Sequence, residues 1–96
     1  EMNDYQIKIV KIKGDFIWHN HEETDELFYV IEGQMSIHFV DSTVFLDKGE
    51  LFIVPKGVEH MPSAEEECLI MLIEPRGIKN TGNKDTDLTA ENDIWI

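Results

Sequence analysis

The sequence predicts an all-β domain, a sandwich or barrel, and three observations predict it. Apolar residues recur mostly at a period of two, as on a half-buried strand. Turn residues punctuate the chain about every 8–12 residues. No stretch carries the three-to-four-residue apolar spacing of an amphipathic helix of useful length.

Taken in order, residues 1–4 make an irregular start. Tyr5 to Lys13 sets Ile7, Ile9, Val10 and Ile12 among lysines, and its alternation slips between Ile9 and Val10, which predicts a bulge or a change of strand. Gly14-Asp15 interrupts the run. Phe16 to His21 is the next expected strand, with Ile17, His19 and His21 on one face and Phe16, Trp18 and Asn20 on the other. Both faces hold large groups, so both should be covered. Leu27 to Ile31 is a continuous apolar strand closed by a turn at Glu32-Gly33. Gln34 to Val40 sets Met35, Ile37 and Phe39 against Ser36, His38 and Val40. Asp41-Ser42, Asp47-Lys48-Gly49 and Pro55-Lys56-Gly57 are turns that bound short strands at Thr43 to Leu46 and Leu51 to Val54. Val58 to Met61 is brief, Glu65-Glu66-Glu67 reads as a solvated loop, and Leu69 to Ile73 is apolar on both faces, so both should be buried. Pro75 to Asp87 reads as a long mobile loop. Ile94-Trp95-Ile96 is too apolar to be left in water and should dock on the barrel or on a partner chain. The total is about seven or eight short strands in a single domain spanning residues 1–96.

Bulk properties narrow the function classes. Twenty acidic residues against eight basic ones give a net charge of −12, which argues against nucleic-acid phosphates and anionic membranes as partners. No run approaches the roughly 18 apolar residues of a membrane span, and no basic-then-apolar leader opens the chain. The single cysteine, Cys68, rules out an internal disulfide and suits a reducing cytoplasm.

The chemistry concentrates in one stretch, His19-Asn-His21-Glu-Glu-Thr-Asp-Glu26, with a later partner at His60. Two residues apart on a strand, His19 and His21 point to the same face. Glu22, Glu23, Thr24 and Asp25 have turn composition. A hairpin through them can return Glu26, which shares a face with Phe28 and Val30, to the two histidines. Imidazole nitrogens with one carboxylate are ligands for a divalent transition metal. Three nitrogens and one oxygen leave two places open in an octahedral shell, as a reactive or ligand-binding metal requires. Metal identity is open. Nickel, copper and zinc compete well for imidazole, whereas iron or manganese would have to be favoured by supply.

The same residues carry a family resemblance. Gly14, His19-x-His21, four residues, Glu26, six residues and Gly33 resemble the first motif of the cupins. Gly49, five residues, Pro55-x-Gly57, two residues and His60 resemble the second. Two departures stand out: four residues instead of five separate Gly14 from His19, and Ala64 occupies a place where the family often has Asn. The match runs from Gly14 to Ala64. It implies a small antiparallel β-barrel, the double-stranded β-helix of the jelly-roll type, with a metal held by His19, His21, Glu26 and His60 in the barrel mouth. It does not imply one reaction, because cupins include oxygenases, isomerases, decarboxylases and ligand-sensing domains.

Outside the motifs the expectations are plainer. His38 opposes Met35, Ile37 and Phe39 in parity and should point outward. Cys68 shares a face with Ile70 and Leu72 and should be a small buried apolar group. Tyr29 lies opposite Glu26, away from any catalytic role. Trp18 and Trp95 suit core or interface. Arg76 is the only arginine and Lys56 sits by the second motif, so few cations are expected near the site. Glu22, Glu23 and Asp25 should face water. Two function classes follow. One is a metalloenzyme of oxygenase, isomerase or lyase type acting on a small organic molecule, with no catalytic residue assignable beyond the ligands. The other is a non-catalytic small-molecule sensor or carrier. A homodimer is expected, because strands apolar on both faces exceed what one barrel interior covers.

Overall fold

A computed structural model describes residues 1–76 of the 96-residue chain. Six strands form one curled antiparallel sheet: β1 (Tyr5–Asp15), β2 (Glu26–Glu32), β3 (Gln34–Phe39), β4 (Thr43–Asp47), β5 (Leu51–Val54) and β6 (His60–Pro75). The strand order is β4-β3-β6-β2-β5, and β1 pairs with the other edge of β6. No helix occurs among the described residues, and none is therefore long and apolar enough to cross a membrane.

The sixteen-residue β6 is the spine, touching β1, β2 and β3. Its alternation sends Ile70 and Leu72 inward with Cys68. They meet Phe28 and Val30 from β2, Met35 and Ile37 from β3, Leu46 from β4 and Val54 from β5. Period-two patterning thus lines the concave face with a closed apolar core at full burial. Gly33 makes the turn from β2 to β3. Its φ of +95° lies in the left-handed region, and a Cβ there would sit 3.2 Å from Cys68 Cα and from the Glu67 carbonyl. Only glycine meets both constraints without strain. Gly57, at φ +79°, closes the Pro55–Val58 turn, in which Val58 N–H donates to the Pro55 carbonyl at 3.3 Å.

Several expectations are corrected. There are six strands among the described residues, not seven or eight. The register of β1 on β6 runs without a break through Ile9↔Met71 and Val10↔Ile70, and the irregularity falls later, between Ile12 and Gly14. Phe16 to His21 is not a ladder strand. Pairing with β6 continues through Gly14↔Ala64 and ends at Asp15↔Ser63, after which the Phe16 N–H to the Pro62 carbonyl and the isolated His19↔His60 bridge tie the segment to β6. Glu65-Glu66-Glu67 is not a loop but a bulged part of β6. Ile12 and Gly14, two apart, face Cys68 and Ala64, four apart, so the extra residues bow toward water. Glu67 there lies 3.7 Å from Lys11 Nζ. The outer face of Leu69, Met71 and Ile73 is only half-buried among the described residues, whereas full burial on both faces was expected. Pro75, expected to open a long loop to Asp87, instead ends β6; that loop from Gly77 onward and the apolar Ile94-Trp95-Ile96 lie outside the described residues.

Candidate metal centre

The four motif residues reach one point from three places. Glu26 opens β2, His60 opens β6, and His19 and His21 lie on the segment after β1. Two reciprocal backbone bonds clamp His19 to His60: His19 N–H donates to the His60 carbonyl at 3.0 Å, and His60 N–H to the His19 carbonyl at 2.9 Å. The two motif loops are also pinned together. Gly57 N–H donates to the His21 carbonyl at 2.8 Å, and Lys56 N–H to Asp25 Oδ1 at 2.9 Å. Asn20 Nδ2 donates to Glu59 at 2.9 Å. The turn glycine and the acidic loop thus hold the histidine backbone in register.

One ligand atom from each of His19, His21, Glu26 and His60 lies within 4.8 Å of the others, and all four residues are buried. Second contacts aim the rings. His19 Nδ1 lies 2.9 Å from the Ile17 carbonyl and His60 Nδ1 lies 2.8 Å from the Val58 carbonyl. A carbonyl only accepts, so each Nδ1 carries the proton and each Nε2 turns its lone pair inward. His21 Nε2 and His60 Nε2 lie 3.2 Å and 3.4 Å from Glu26 Oε1. His19 Nε2 is buried and has no hydrogen-bond partner among the described residues. A buried lone pair aimed at a carboxylate and two more imidazoles is costly unless something binds it, so the donor set fits a metal ion. Apolar rings wall the cluster: Phe16 stands 5.6 Å from His19, and Phe28 and Phe39 stand 6.1 Å and 6.5 Å from His60, centroid to centroid.

Electrostatics follow the burial. Desolvation lowers the His19 pKa from 6.5 to about 4, so its ring is neutral and ready to ligate at neutral pH. Burial also opposes charge on His21, but the Glu26 carboxylate, 3.2 Å from its Nε2, overcomes it and raises its pKa. Desolvation pushes the Glu26 pKa up, yet the His21 and His60 imidazoles, 3.2 Å and 3.4 Å from its Oε1, outweigh it and hold it down to about 2. The pocket therefore keeps a carboxylate under an imidazole cluster.

Sequence reasoning missed the groups behind Glu26. Glu74 and Gln6 are a cross-strand pair of β6 and β1, both buried, and Lys8 Nζ lies 3.2 Å from Glu74 Oε1. Leu27↔Ile73 in the register puts Glu74 beside Glu26 on the concave face. Desolvation, reinforced by the Glu26 charge, raises the Glu74 pKa from 4.5 to about 7 against the pull of Lys8. An interior ammonium thus stands near the site, on Lys8 rather than on Lys56, which is exposed. The signal was present: Glu74 continues the inward parity of Ile70 and Leu72, and Lys8 that of Val10 and Ile12.

Trp18, expected in core or interface on a segment covered on both faces, is 38% exposed, whereas His38, Cys68 and the acidic loop fall as expected. His38 is half-buried on the outer side, 3.2 Å from Ser36 Oγ and 3.1 Å from Thr43 Oγ1, and takes no part in the cluster. Cys68 is fully buried and free, and burial raises its pKa. Glu22, Glu23 and Asp25 are exposed.

The cupin-domain family model matches residues 7–74. The chain belongs to the cupin family. Its architecture has solved counterparts. A cupin-2 domain containing protein from Shewanella frigidimarina superposes with a TM-score of 0.78 at 58% identity, over 79% of this cupin and 74% of that chain. By sequence, YdbB, an uncharacterized protein of Bacillus subtilis, is 38% identical over 61 residues, 62% of this cupin and 54% of YdbB. The 3-hydroxyanthranilate 3,4-dioxygenase of Danio rerio is 28% identical over 89 residues, 86% of this cupin and 30% of the dioxygenase. This cupin therefore spans about half of the first of these relatives and under a third of the second.

Proposed function

We propose that this cupin is a metalloenzyme that binds one divalent transition metal through His19, His21, Glu26 and His60 and acts on a small organic molecule, with oxygenase chemistry the first choice. The observation that carries the reading is the convergence of four donors within 4.8 Å in a buried, aromatic-walled pocket. The similarity to a dioxygenase over 86% of the chain supports the reaction class. A metal bound there would supply a Lewis acid with open positions for substrate. The chain's own residues prepare that position. The Ile17 and Val58 carbonyls fix two imidazole tautomers, and Phe16, Phe28 and Phe39 exclude water. Lys8 and Glu74 place charge behind Glu26. The identity of the metal among nickel, zinc, iron, manganese and copper stays open, since imidazole accepts each of them. We place the protein in the cytoplasm, where the one free thiol stays reduced. The net charge of −12 disfavours nucleic acid and anionic membranes.

The test is oxygen uptake by full-length protein purified without an affinity tag and loaded with each metal in turn. 3-Hydroxyanthranilate is the first probe, followed by a panel of small catechols and enols. Turnover with one metal, abolished in His60→Ala, supports the enzyme. Saturable binding of a probe without product by any metal form favours the sensor or carrier instead.

A further inference from the structure

Beside Glu26 the pocket carries a second buried carboxylate that stands outside the four-donor set. Gln6, Glu74, Glu26 and Val54 succeed one another across β1, β6, β2 and β5, and all are buried on the concave side. Glu74 is 2% exposed, within the 1–6% of the four donors, so it lies at their depth. Neighbouring strands stand roughly 5 Å apart, which puts its carboxyl within reach of a molecule seated beside Glu26. Its charge acts on His21 as well as on Glu26. Lys8 Nζ lies 3.2 Å from Oε1, while Oε2 is buried and has no hydrogen-bond partner among the described residues. An ionised carboxylate only accepts, so Oε2 calls for a donor.

Resting on the metal reading above, we propose that Glu74 is a substrate-binding residue that selects a small aromatic amine in preference to a carboxylate-bearing analogue. Three features favour an amine. The first is the unmet acceptor. A hydroxyl would satisfy Oε2 as a neutral donor, whereas an amine that takes up positive charge makes the stronger, charge-assisted bond. The second is the supply of cations. Among the described residues Lys8 is the only lysine or arginine that is not exposed, and Glu74 already holds it at 3.2 Å. A substrate carboxylate entering here would meet Glu26 and Glu74, and its own buried charge would go uncompensated on this side of the pocket. The third is the approach. Glu22, Glu23 and Asp25, between His21 and Glu26, are exposed, and the chain carries a net charge of −12, a field that gathers cations and repels anions. The aromatic body follows from the walls. The Phe16, Phe28 and Phe39 rings around the histidines suit a flat ring, with Glu74 as the polar group that orients it.

Zinc-loaded, full-length protein tests this without turnover, because zinc has no redox chemistry. Titration calorimetry compares 2-aminophenol, catechol and 2-hydroxybenzoate, rings that share one phenol oxygen and differ only in the neighbouring group. Each affinity is divided by that of the same probe for aqueous zinc. So corrected, 2-aminophenol should bind tightest and 2-hydroxybenzoate weakest. Glu74→Gln should weaken 2-aminophenol by at least about tenfold, as loss of a hydrogen bond to a charged group does, and should leave 2-hydroxybenzoate unchanged or tighter. A merely structural role for Glu74 would move all the probes alike, and that result overturns the proposal. So does a corrected ranking led by 2-hydroxybenzoate, or a zinc-loaded wild type that binds none of the probes. In each of these cases the metal reading survives, because zinc stoichiometry reports it separately. A wild type that holds no zinc overturns the metal reading and this inference with it. Should Glu74→Gln lose its fold or its zinc, Glu74→Asp carries the test, since it keeps the charge and draws it back by one methylene. A selective loss of 2-aminophenol then supports the proposal, and an equal change in all the probes overturns it.

Discussion

Glu74→Gln is the perturbation that most sharply separates the buried carboxylates. The substitution keeps shape and removes the ionisable group, one strand away from Glu26. In the folded chain the Glu74 pKa stands at about 7 against an ordinary 4.5, with burial the first cause and the Glu26 charge the second. A raised carboxyl pKa means that the folded state binds the proton more tightly than the unfolded state. Its contribution to stability is therefore complete below about pH 4.5 and is lost as pH rises through about 7. The span from 4.5 to about 7 corresponds to roughly 3 kcal/mol, at about 1.36 kcal/mol per pKa unit. Because the Glu74 side chain is only 1% exposed, solvent screening removes little of this. His21, whose pKa is also raised, adds a trend of the same sign, but it is present in both proteins and largely cancels in the comparison. The variant also leaves the Lys8 ammonium facing a neutral amide at every pH, a pH-independent cost of about 1–3 kcal/mol. That offset changes the height of the curve, so the slope is the readout. Urea unfolding of chelator-treated protein, at intervals from about pH 5 to pH 8, should show the wild type losing about 2.5 kcal/mol more than Glu74→Gln over the interval. Two stability curves that stay parallel within about 0.5 kcal/mol would refute a buried, high-pKa Glu74.

Other outcomes are expected at the site and the turns. His60→Ala should weaken metal affinity by more than the roughly hundredfold seen for losing an outer partner, since His38, the remaining histidine, is on the wrong side of the sheet; chelator competition measures it. Metal affinity should fall as pH drops through the raised His21 pKa, above 6.5, because a proton held on His21 by Glu26 must leave before the metal binds, whereas His19, at about 4, adds no competition there. A fall of roughly tenfold per pH unit is expected below the His21 pKa, and an affinity unchanged between about pH 8 and pH 5 would contradict a histidine site. Gly33→Ala should lower the urea midpoint by an amount worth about 1–3 kcal/mol, because its Cβ enters the space of the Cys68 and Glu67 backbone at φ +95°.

Much of this was legible in the sequence, for reasons that can be named. Period-two alternation at Met35, Ile37 and at Phe28, Val30 found the concave face because burial on one side of a strand is what selects that period. The ligand set was legible because two histidines two apart share a face and the turn residues between His21 and Glu26 make the return. What the sequence hid was decided by pairing. Three consecutive glutamates read as a loop, yet the bulge that bows them outward keeps β6 continuous from His60 to Pro75. Phe16 to His21 has strand-like composition, but beyond Asp15↔Ser63 it keeps the Phe16–Pro62 bond and an isolated His19↔His60 bridge in place of a continuous ladder. Lys8 and Glu74 carry an inward parity along their own strands, but that they meet each other behind Glu26 follows from the register of β1, β6 and β2.

The proposed function stands on one metal ion held by His19, His21, Glu26 and His60. X-ray absorption at the metal edge of full-length, tag-free protein loaded with one equivalent tests it most directly. The account predicts a shell of nitrogen and oxygen at roughly 2.0–2.3 Å, with the outer-shell signature of three imidazoles, reduced to two in His60→Ala. Stoichiometric metal with no imidazole signature, or an absence of tightly held metal from nickel, zinc, iron, manganese and copper alike, would contradict it.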